Sequence, residues 1–466
     1  MHKQVELDNY KSATSNRQSV EKQIQEEIQN HRYQIVQSKP QIVSALGAIP
    51  KRDSNKIRII HDCSRPTGHS LNEFAYHNPF KYQSIQDAVD IISPNYYLAK
   101  LDLSNAYRSV RIHPSNFAAT GLKWQFLGDK HNTYMVDTCL PFGAKASPGI
   151  FNELSQAVRR IMQAKGFPGL IVYLDDFLVI APTKEECNIA LMTLLSLVRK
   201  LGFAINYNKL VMPCQRLTFL GIVLDTIKMT LELPKAKLLE LYNDLHQFNM
   251  KKKVTKYALQ SLVGKLNWAT QCIQGGRFYL RRLIDTISKL KAPWHHSRVT
   301  SEIRADLRWW LDFMCIFNGA MPMVDNRPTT PVFIDSCEIG AGAFYKGDIA
   351  YMPWTAWPAA TNLHINFKET LTLEMAAVKW APLWTNRKVY IYCDNQCAVG
   401  IINKGSTKNP IVMSSLRRLF WLSACYNFKL QAIYYPGKNN ILADAISRVH
   451  QPNGYSRLCT ILNNYY

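Results

Sequence analysis

The chain has 466 residues, 47% of them hydrophobic, which excludes a disordered protein and leaves room for more than one core-forming domain. Lys and Arg number 56 against 34 Asp and Glu, a formal charge of +22 that excludes an acidic scaffold and suits a polyanionic partner. Eleven scattered cysteines, with Cys393 and Cys397 the nearest pair and no second pair beside them, predict reduced thiols rather than a zinc site. No apolar run approaches ~20 residues and residues 1–32 are polar and charged, so neither a membrane span nor a secretion signal is expected. The chain reads as intracellular, in cytoplasm or nucleus.

Residues 1–40 read as a polar helical leader, rich in Gln and Glu from Glu21 to Asn30. From Ala45 to Ile180 short β-type runs alternate with helical stretches. Ile49-Pro50-Lys51-Arg52-Asp53 through Lys56-Ile57-Arg58 is a basic hairpin segment, able to offer point charges and a guanidinium fork to phosphates. Tyr97-Leu98-Ala99-Lys100-Leu101-Asp102-Leu103 is an apolar run ending in an acid. Tyr173-Leu174-Asp175-Asp176 lies between the β-type runs 169–172 and 177–180. Two acids at the tip of a hydrophobic hairpin repel each other and resist desolvation, and a divalent cation removes both costs. Asp102 is distant in sequence, but two strand ends can converge in a sheet. Three carboxylates could then hold two Mg²⁺ ions about 3.5–4 Å apart, the arrangement of phosphoryl transfer.

Thr183-Lys184-Glu185-Glu186 is a capping box that opens a helix ending near Gly202, and residues 203–233 return to strand-like runs. Residues 234–318 are helical in pattern, with Ile303, Leu307, Trp310, Leu311 and Met314 on one face. Lys251 to Lys253, Lys256, Lys265 and the stretch Gly275 to Arg282 mix basic with aromatic residues, a composition that can track nucleic-acid backbones. Pro322, Pro328 and Pro331 mark a linker. Beyond it the pattern predicts strands at 332–337, 340–346 and 349–353, a helix at 366–382, a strand at 388–393, helices at 395–403 and 411–424, a strand at 428–434 and a helix at 440–449. Four acids fall on separate elements: Asp335, Glu369, Asp394 and Asp444. Glu374 competes for the helix position, but five residues from Glu369 it would face away.

On these residues the segment from about Ala45 to Asp225 resembles a reverse transcriptase, with its motifs in family order. The resemblance implies that Lys51 and Arg58 hold the nucleotide phosphates and that Tyr107, in Asp102-Leu103-Ser104-Asn105-Ala106-Tyr107, is the sugar gate. It implies that Leu140-Pro141-Phe142-Gly143 positions template and nucleotide, with Phe142 where retroviral enzymes carry Gln. Asp102 and Asp175 would ligate metal with Asp176 in support. Lys209 would donate a proton to pyrophosphate, and Phe219-Leu220-Gly221 would form the primer-grip turn.

The order of elements after the linker, with Ile365 to Thr370, Cys393-Asp394-Asn395 and Gly437 to Arg448, resembles ribonuclease H. In that family four such acids hold two metals and cut the RNA of an RNA–DNA hybrid. The family's loop histidine is replaced here by Tyr434-Tyr435-Pro436-Gly437. Tyr173 to Asp176, Asn403 to Thr407 and Ala443 to Arg448 together look most like DIRS-type retrotransposon polymerases, then gypsy-type elements and plant pararetroviruses.

The implied fold is α+β: a right-hand polymerase of fingers, palm and thumb, a connection, and an α/β ribonuclease H-like domain. The expected boundaries are a leader at 1–40, fingers and palm at 41–233, thumb and connection at 234–325, nuclease at 326–450 and a tail at 451–466. The implied cofactor is Mg²⁺ or Mn²⁺, two per site. The implied partners are RNA and DNA template-primers, the hybrid and deoxynucleoside triphosphates, with a recombinase or capsid protein encoded elsewhere. A catalytically inactive, domesticated nucleic-acid-binding descendant is the rival from another class. A viral RNA-dependent RNA polymerase is a second rival, opposed by Tyr107 and the nuclease motifs.

Overall fold

The structure, a computed structural model, describes residues 4–50, 57–76, 79–273, 275–317 and 319–465 and divides into two units, Met1–Thr230 and Leu231–Tyr466. The main elements of the first unit are, in chain order, β1 (Val5–Glu6), α1 (Arg17–Gln29), β2 (Tyr33–Ile35), β3 (Ile42–Val43), β4 (Leu46–Pro50), β5 (Ile57–His61), β6 (Tyr97–Ser104), β7 (Gly121–Trp124), β8 (Thr133–Asp137), α2 (Ser147–Ala164), β9 (Leu170–Tyr173), β10 (Asp176–Ala181), α3 (Lys184–Lys200), β11 (Ala204–Ile205), β12 (Val211–Cys214), β13 (Arg216–Phe219) and β14 (Ile222–Asp225).

One sheet has the order β1-β3-β7-β8-β2, and a hairpin of β4 and β5 lies in the same unit. Residues 4–40 are not a separate leader. Strand β1 pairs in parallel with β3, and β2 pairs antiparallel with β8. The Gln- and Glu-rich composition of α1 conceals a one-sided stripe at i, i+4 and i+7: Val20, Ile24 and Glu27 are buried. Val20 and Ile24 share a core with Leu46, Leu122, Trp124 and Met135.

A second sheet has the order β11-β6-β10-β9, with β12 also paired to β6. Ala99, Leu101 and Leu103 of β6 and Phe177 and Val179 of β10 alternate onto one face. There they meet Phe151 and Val158 of α2 and Leu191 and Leu194 of α3. The expected cap of α3 is present, with the Thr183 side chain accepting from the Glu186 N–H, and Gly202 follows in the left-handed region at φ 83°.

The main elements of the second unit are α4 (Lys235–Met250), α5 (Lys256–Ala269), α6 (Arg281–Lys289), α7 (Ser301–Ile316), β15 (Thr329–Ser336), β16 (Gly340–Tyr345), β17 (Asp348–Pro353), α8 (Ile365–Trp380), β18 (Lys388–Cys393), α9 (Gln396–Lys404), α10 (Pro410–Cys425), β19 (Lys429–Tyr434), α11 (Ile441–Ser447) and α12 (Gly454–Tyr465). The sheet order is β17-β16-β15-β18-β19, antiparallel through β16 and parallel from β15 to β19. Its apolar face packs on α8, α9 and α10.

The helical stretch and the stretch that resembles a ribonuclease H fall within one compact unit. Phe278 stacks on Phe420 at 5.2 Å, and Arg282 and Arg417 reach the buried Asp306 at 2.7 and 3.6 Å. Pro331 is not in a linker but within β15, opposite Tyr390 of β18. The pairing of β16 begins only at Phe333, so the missing N–H costs no ladder bond on that side. Residues 451–465 are not a loose tail either: α12 packs Leu458 against Leu442, Ala445 and Ile446.

Two carboxylate centres

The first centre is built by register. Asp102 near the end of β6 is the cross-strand partner of Asp176 at the start of β10, and Asp176 is also opposite Tyr173 of β9. Leu174, at φ 52°, turns the hairpin and leaves Asp175 at its tip, where the Asp175 carbonyl accepts from the Leu103 N–H at 3.0 Å. The three sequence-predicted acids therefore share one edge of the sheet.

Asp102 is buried, and its oxygens accept from Asn206 Nδ2 at 2.9 Å and Lys209 Nζ at 3.0 Å. That hydrogen bond raises the Lys209 ammonium above its ordinary pKa. Asp176 lies 3.0 Å from Lys100 Nζ. Burial pushes the Asp175 carboxyl up, reinforced by the charges of Asp176 and Asp102. Lys100 and Asn206 were not anticipated. Lys100 was legible in principle, because two residues before Asp102 on a strand lies on the same face and diagonal to Asp176.

Beside these acids is a cavity of about 630 Å³ lined by Arg58, Tyr107, Phe142, Asp175 and Lys209 among others. The Tyr107 ring is wedged against Phe142 at 5.3 Å and Phe151 at 5.5 Å. The Arg58 guanidinium lies 5.2 Å over the Phe142 ring. Gly143 sits at φ 121°, and a Cβ there would fall 2.0 Å from the His61 carbonyl oxygen, so only glycine fits. Lys51 lies outside the described residues. The turn at Leu220 and Gly221 has φ 47° and 83°, which joins β13 and β14 as a tight hairpin.

Along the same cavity runs a charged network that sequence reasoning missed. Arg108, adjacent to Tyr107, donates to both Asp137 oxygens at 2.8 and 2.6 Å and to Glu27 at 3.0 and 2.8 Å. Burial disfavours the guanidinium, but Asp137, Tyr33 and Glu27 outweigh it and the Arg108 pKa rises. Burial lowers His61 to about 3, so it is a neutral ring hydrogen-bonded to the Tyr33 hydroxyl at 3.0 Å.

The second centre gathers acids from four elements: Asp335 on β15, Glu369 on α8, Asp394 just after β18 and Asp444 on α11. All four line a cavity of about 530 Å³. Asp335 accepts from the Ser447 hydroxyl at 2.6 Å. Glu369 accepts from the Ser336 N–H at 2.9 Å and from the Cys393 thiol at 3.6 Å. Burial, reinforced by Asp394 and Asp444, raises Asp335 to about 7. Glu369 is raised well above the ordinary carboxylate range by burial, with Asp335 and Asp394 adding to it.

The oxygens of Asp444 accept from Arg448 Nε at 2.6 Å and Arg457 Nη2 at 2.9 Å. Glu374 points elsewhere, into a two-bonded pair with Arg418, so Glu369 is the acid that α8 brings to the cluster. The loop that lacks the histidine passes close: a Cβ on Gly437 would lie 2.8 Å from Asp394 Oδ2. Ser447 and Cys393 lie within the motifs that carry the resemblance but were given no role of their own, and Arg457 carried no sequence signal toward this site. In both centres carboxylate oxygens converge, and burial with neighbouring acids pushes Asp175, Asp335 and Glu369 upward, a donor set that fits hard divalent cations.

Residues 49–224 match the family "Reverse transcriptase (RNA-dependent DNA polymerase)". The chain is 23% identical over 402 residues to the genome polyprotein of Petunia vein clearing virus, covering 82% of this chain and 16% of that polyprotein. It is 21% identical over 409 residues to the enzymatic polyprotein of Cestrum yellow leaf curling virus, covering 81% and 58%. The Gag-Pol polyprotein of gibbon ape leukemia virus is 30% identical over 135 residues, 28% of this chain and 8% of that one. The chain thus spans only part of the polyproteins it matches.

Among solved structures, the foamy viral protease-reverse transcriptase in complex with RNA/DNA hybrid superposes with a TM-score of 0.57 at 18% identity, over 93% of this chain and 55% of that one. A foamy viral protease-reverse transcriptase with double-stranded DNA gives 0.55 at 18% identity, over 93% and 72%. The fold is the expected one, mixed α and β with a polymerase and a ribonuclease H-like part. Residues 49–224 thus match the reverse transcriptase family, and the relatives similar to this chain are viral polyproteins.

Proposed function

We propose that the chain is an RNA- and DNA-directed DNA polymerase that copies retroelement RNA, joined to a ribonuclease H that degrades the RNA of RNA–DNA hybrids. The register of β6 with β10 carries this reading, because it sets Asp102 opposite Asp176 with Asp175 at the turn, beside a basic and aromatic pocket. Reverse transcriptases generally use divalent metal ions. Asp102, Asp175 and Asp176 would hold one set, and Asp335, Glu369, Asp394 and Asp444 the other. Bound Mg²⁺ or Mn²⁺, two per site, supplies activation of the attacking oxygen and neutralises charge on the phosphate.

The remaining work falls to side chains. Arg58, with Lys51, grips the triphosphate as a charge-assisted donor. Tyr107 is held rigid between Phe142 and Phe151, so its ring forms a hard floor beneath the sugar and excludes a 2′-hydroxyl. Lys209 donates a hydrogen bond to Asp102 and carries a proton that can pass to departing pyrophosphate. In the nuclease centre Ser447 and the Ser336 N–H fix the orientation of Asp335 and Glu369. The partners are RNA and DNA template-primers, hybrid duplexes and deoxynucleoside triphosphates, with a recombinase or capsid protein of the same element. The motifs at 173–176, 403–407 and 443–448 support a retrotransposon of DIRS or gypsy type.

The test is primer extension by the purified chain on RNA and on DNA templates, with deoxy- or ribonucleotides, alongside cleavage of a labelled hybrid. Extension with deoxynucleotides on both templates is expected, with loss of the RNA strand. Ribonucleotide preference would make it an RNA polymerase. Metal-independent binding without turnover would leave a nucleic-acid-binding descendant.

A further inference from the structure

Asp444 differs from the other acids of the nuclease centre in that both its oxygens are held by cations. Arg448 is one turn along the chain from Asp444. Arg457 is not local: it comes from α12, and its delivery is built into the backbone. Asn453 turns the chain at φ 62°. A Cβ on Gly454 would lie 2.4 Å from the Arg448 carbonyl oxygen and 2.9 Å from that of Val449, so α12 can start this close to α11 only with glycine there. Leu458, the next residue after Arg457, is buried against Leu442, Ala445 and Ile446 and fixes the helix rotation.

The result is a half-exposed guanidinium at the wall of the acid-lined cavity. As a stabilising contact such an exposed pair contributes only about 0–1 kcal/mol. Its chemistry suits another role, since a planar five-donor fork beside a carboxylate cluster matches a phosphodiester bidentately. A divalent cation on Asp444 would neutralise the charge that holds Arg457 and leave the fork facing the cavity.

We infer that Arg457 is a substrate-phosphate residue of the nuclease centre, parked on Asp444 in the metal-free chain and free to grip the hybrid backbone once that carboxylate is taken by metal. The inference rests on reading this centre as a hybrid nuclease.

Two measurements on the full chain test it. Electron paramagnetic resonance titration with Mn²⁺ alone should show several-fold tighter binding by Arg457→Gln than by the unsubstituted chain, since a competing cation is gone. The difference should vanish in an Asp444→Asn background. Steady-state cleavage of an RNA–DNA hybrid by Arg457→Gln should show KM raised about tenfold with kcat within about twofold, and Arg457→Lys should recover part of the loss. An unchanged KM in a chain that cleaves overturns the inference, as does Mn²⁺ binding that is unaltered or weaker. If the unsubstituted chain cleaves no hybrid, the nuclease reading fails instead, which is a distinct result.

Discussion

The two carboxylate centres solve the same electrostatic problem in opposite ways. In the first centre, lysines are built in among the acids: Lys209 bonds Asp102 and Lys100 pairs with Asp176, so part of the negative charge is balanced before any metal arrives. In the second centre the innermost acids receive a hydroxyl, a backbone N–H and a thiol, and among the described residues guanidinium groups bond Asp444 alone of the four acids. Neutral donors leave charge uncompensated, so Asp335 and Glu369 answer by holding protons. One centre is pre-neutralised by ammonium and the other by protonation, and metal must displace different things in each.

The sharpest break of this comparison is a crossed pair of substitutions. Asp175→Ala should lower primer extension on the order of a thousandfold or more while sparing hybrid cleavage, and Asp394→Asn should do the reverse. Cleavage that survives Asp394→Asn would remove the second centre from the scheme.

Next in size is the contrast between buried and exposed guanidinium pairs. Asp137→Ala leaves Arg108 buried without one of its two acids and should cost about 3–5 kcal/mol in denaturant unfolding, whereas Arg457→Gln should cost about 0–1 kcal/mol. Similar midpoints for the two variants would mean that Arg108 finds another partner.

The protonation difference predicts a pH dependence. Asp335 binds its proton to about pH 7 when folded but only to the ordinary carboxylate range when unfolded. The folded state therefore holds more protons, and the metal-free stability of the second unit should fall as pH rises from about 4 to 7, then level off. Metal binding at the nuclease centre should strengthen by about tenfold per pH unit below 7 and release protons, which calorimetry in buffers of different ionisation enthalpy would register. A flat profile would equate the two centres.

The smallest expected effect concerns the nucleotide pocket. Phe142→Gln removes the ring under Arg58 and beside Tyr107, contacts of roughly 0.5–1 kcal/mol, and should raise the KM for deoxynucleotides a few-fold with little change in kcat.

Much of this was readable along the chain, for a physical reason. An acid ending an apolar run and an acid pair at a hairpin tip are anomalies that local context cannot explain, so Asp102, Asp175 and Asp176 announced themselves. Helical spacing set Glu369 and Glu374 on different faces, and the motif around Glu369 chose between them. What stayed hidden depends on contacts between distant residues. Arg108 meets Asp137 across 29 residues and Glu27 across 81, and nothing at any of the three positions hints at the others. The stripe on α1 was masked because its third member is an acid among Gln and Glu, and Arg457 sat in what looked like a tail.

The Glu27–Arg108 pair bears on where a working fragment could be cut. The family match begins at residue 49, yet excising the polymerase there would strip away α1 with its buried Val20 and Ile24. It would also strip Arg108, next to Tyr107 in the wall of the cavity, of one of its two acids. The smallest autonomously folding fragment is therefore larger than the family match, and a protease-resistant core should retain residues well upstream of residue 49.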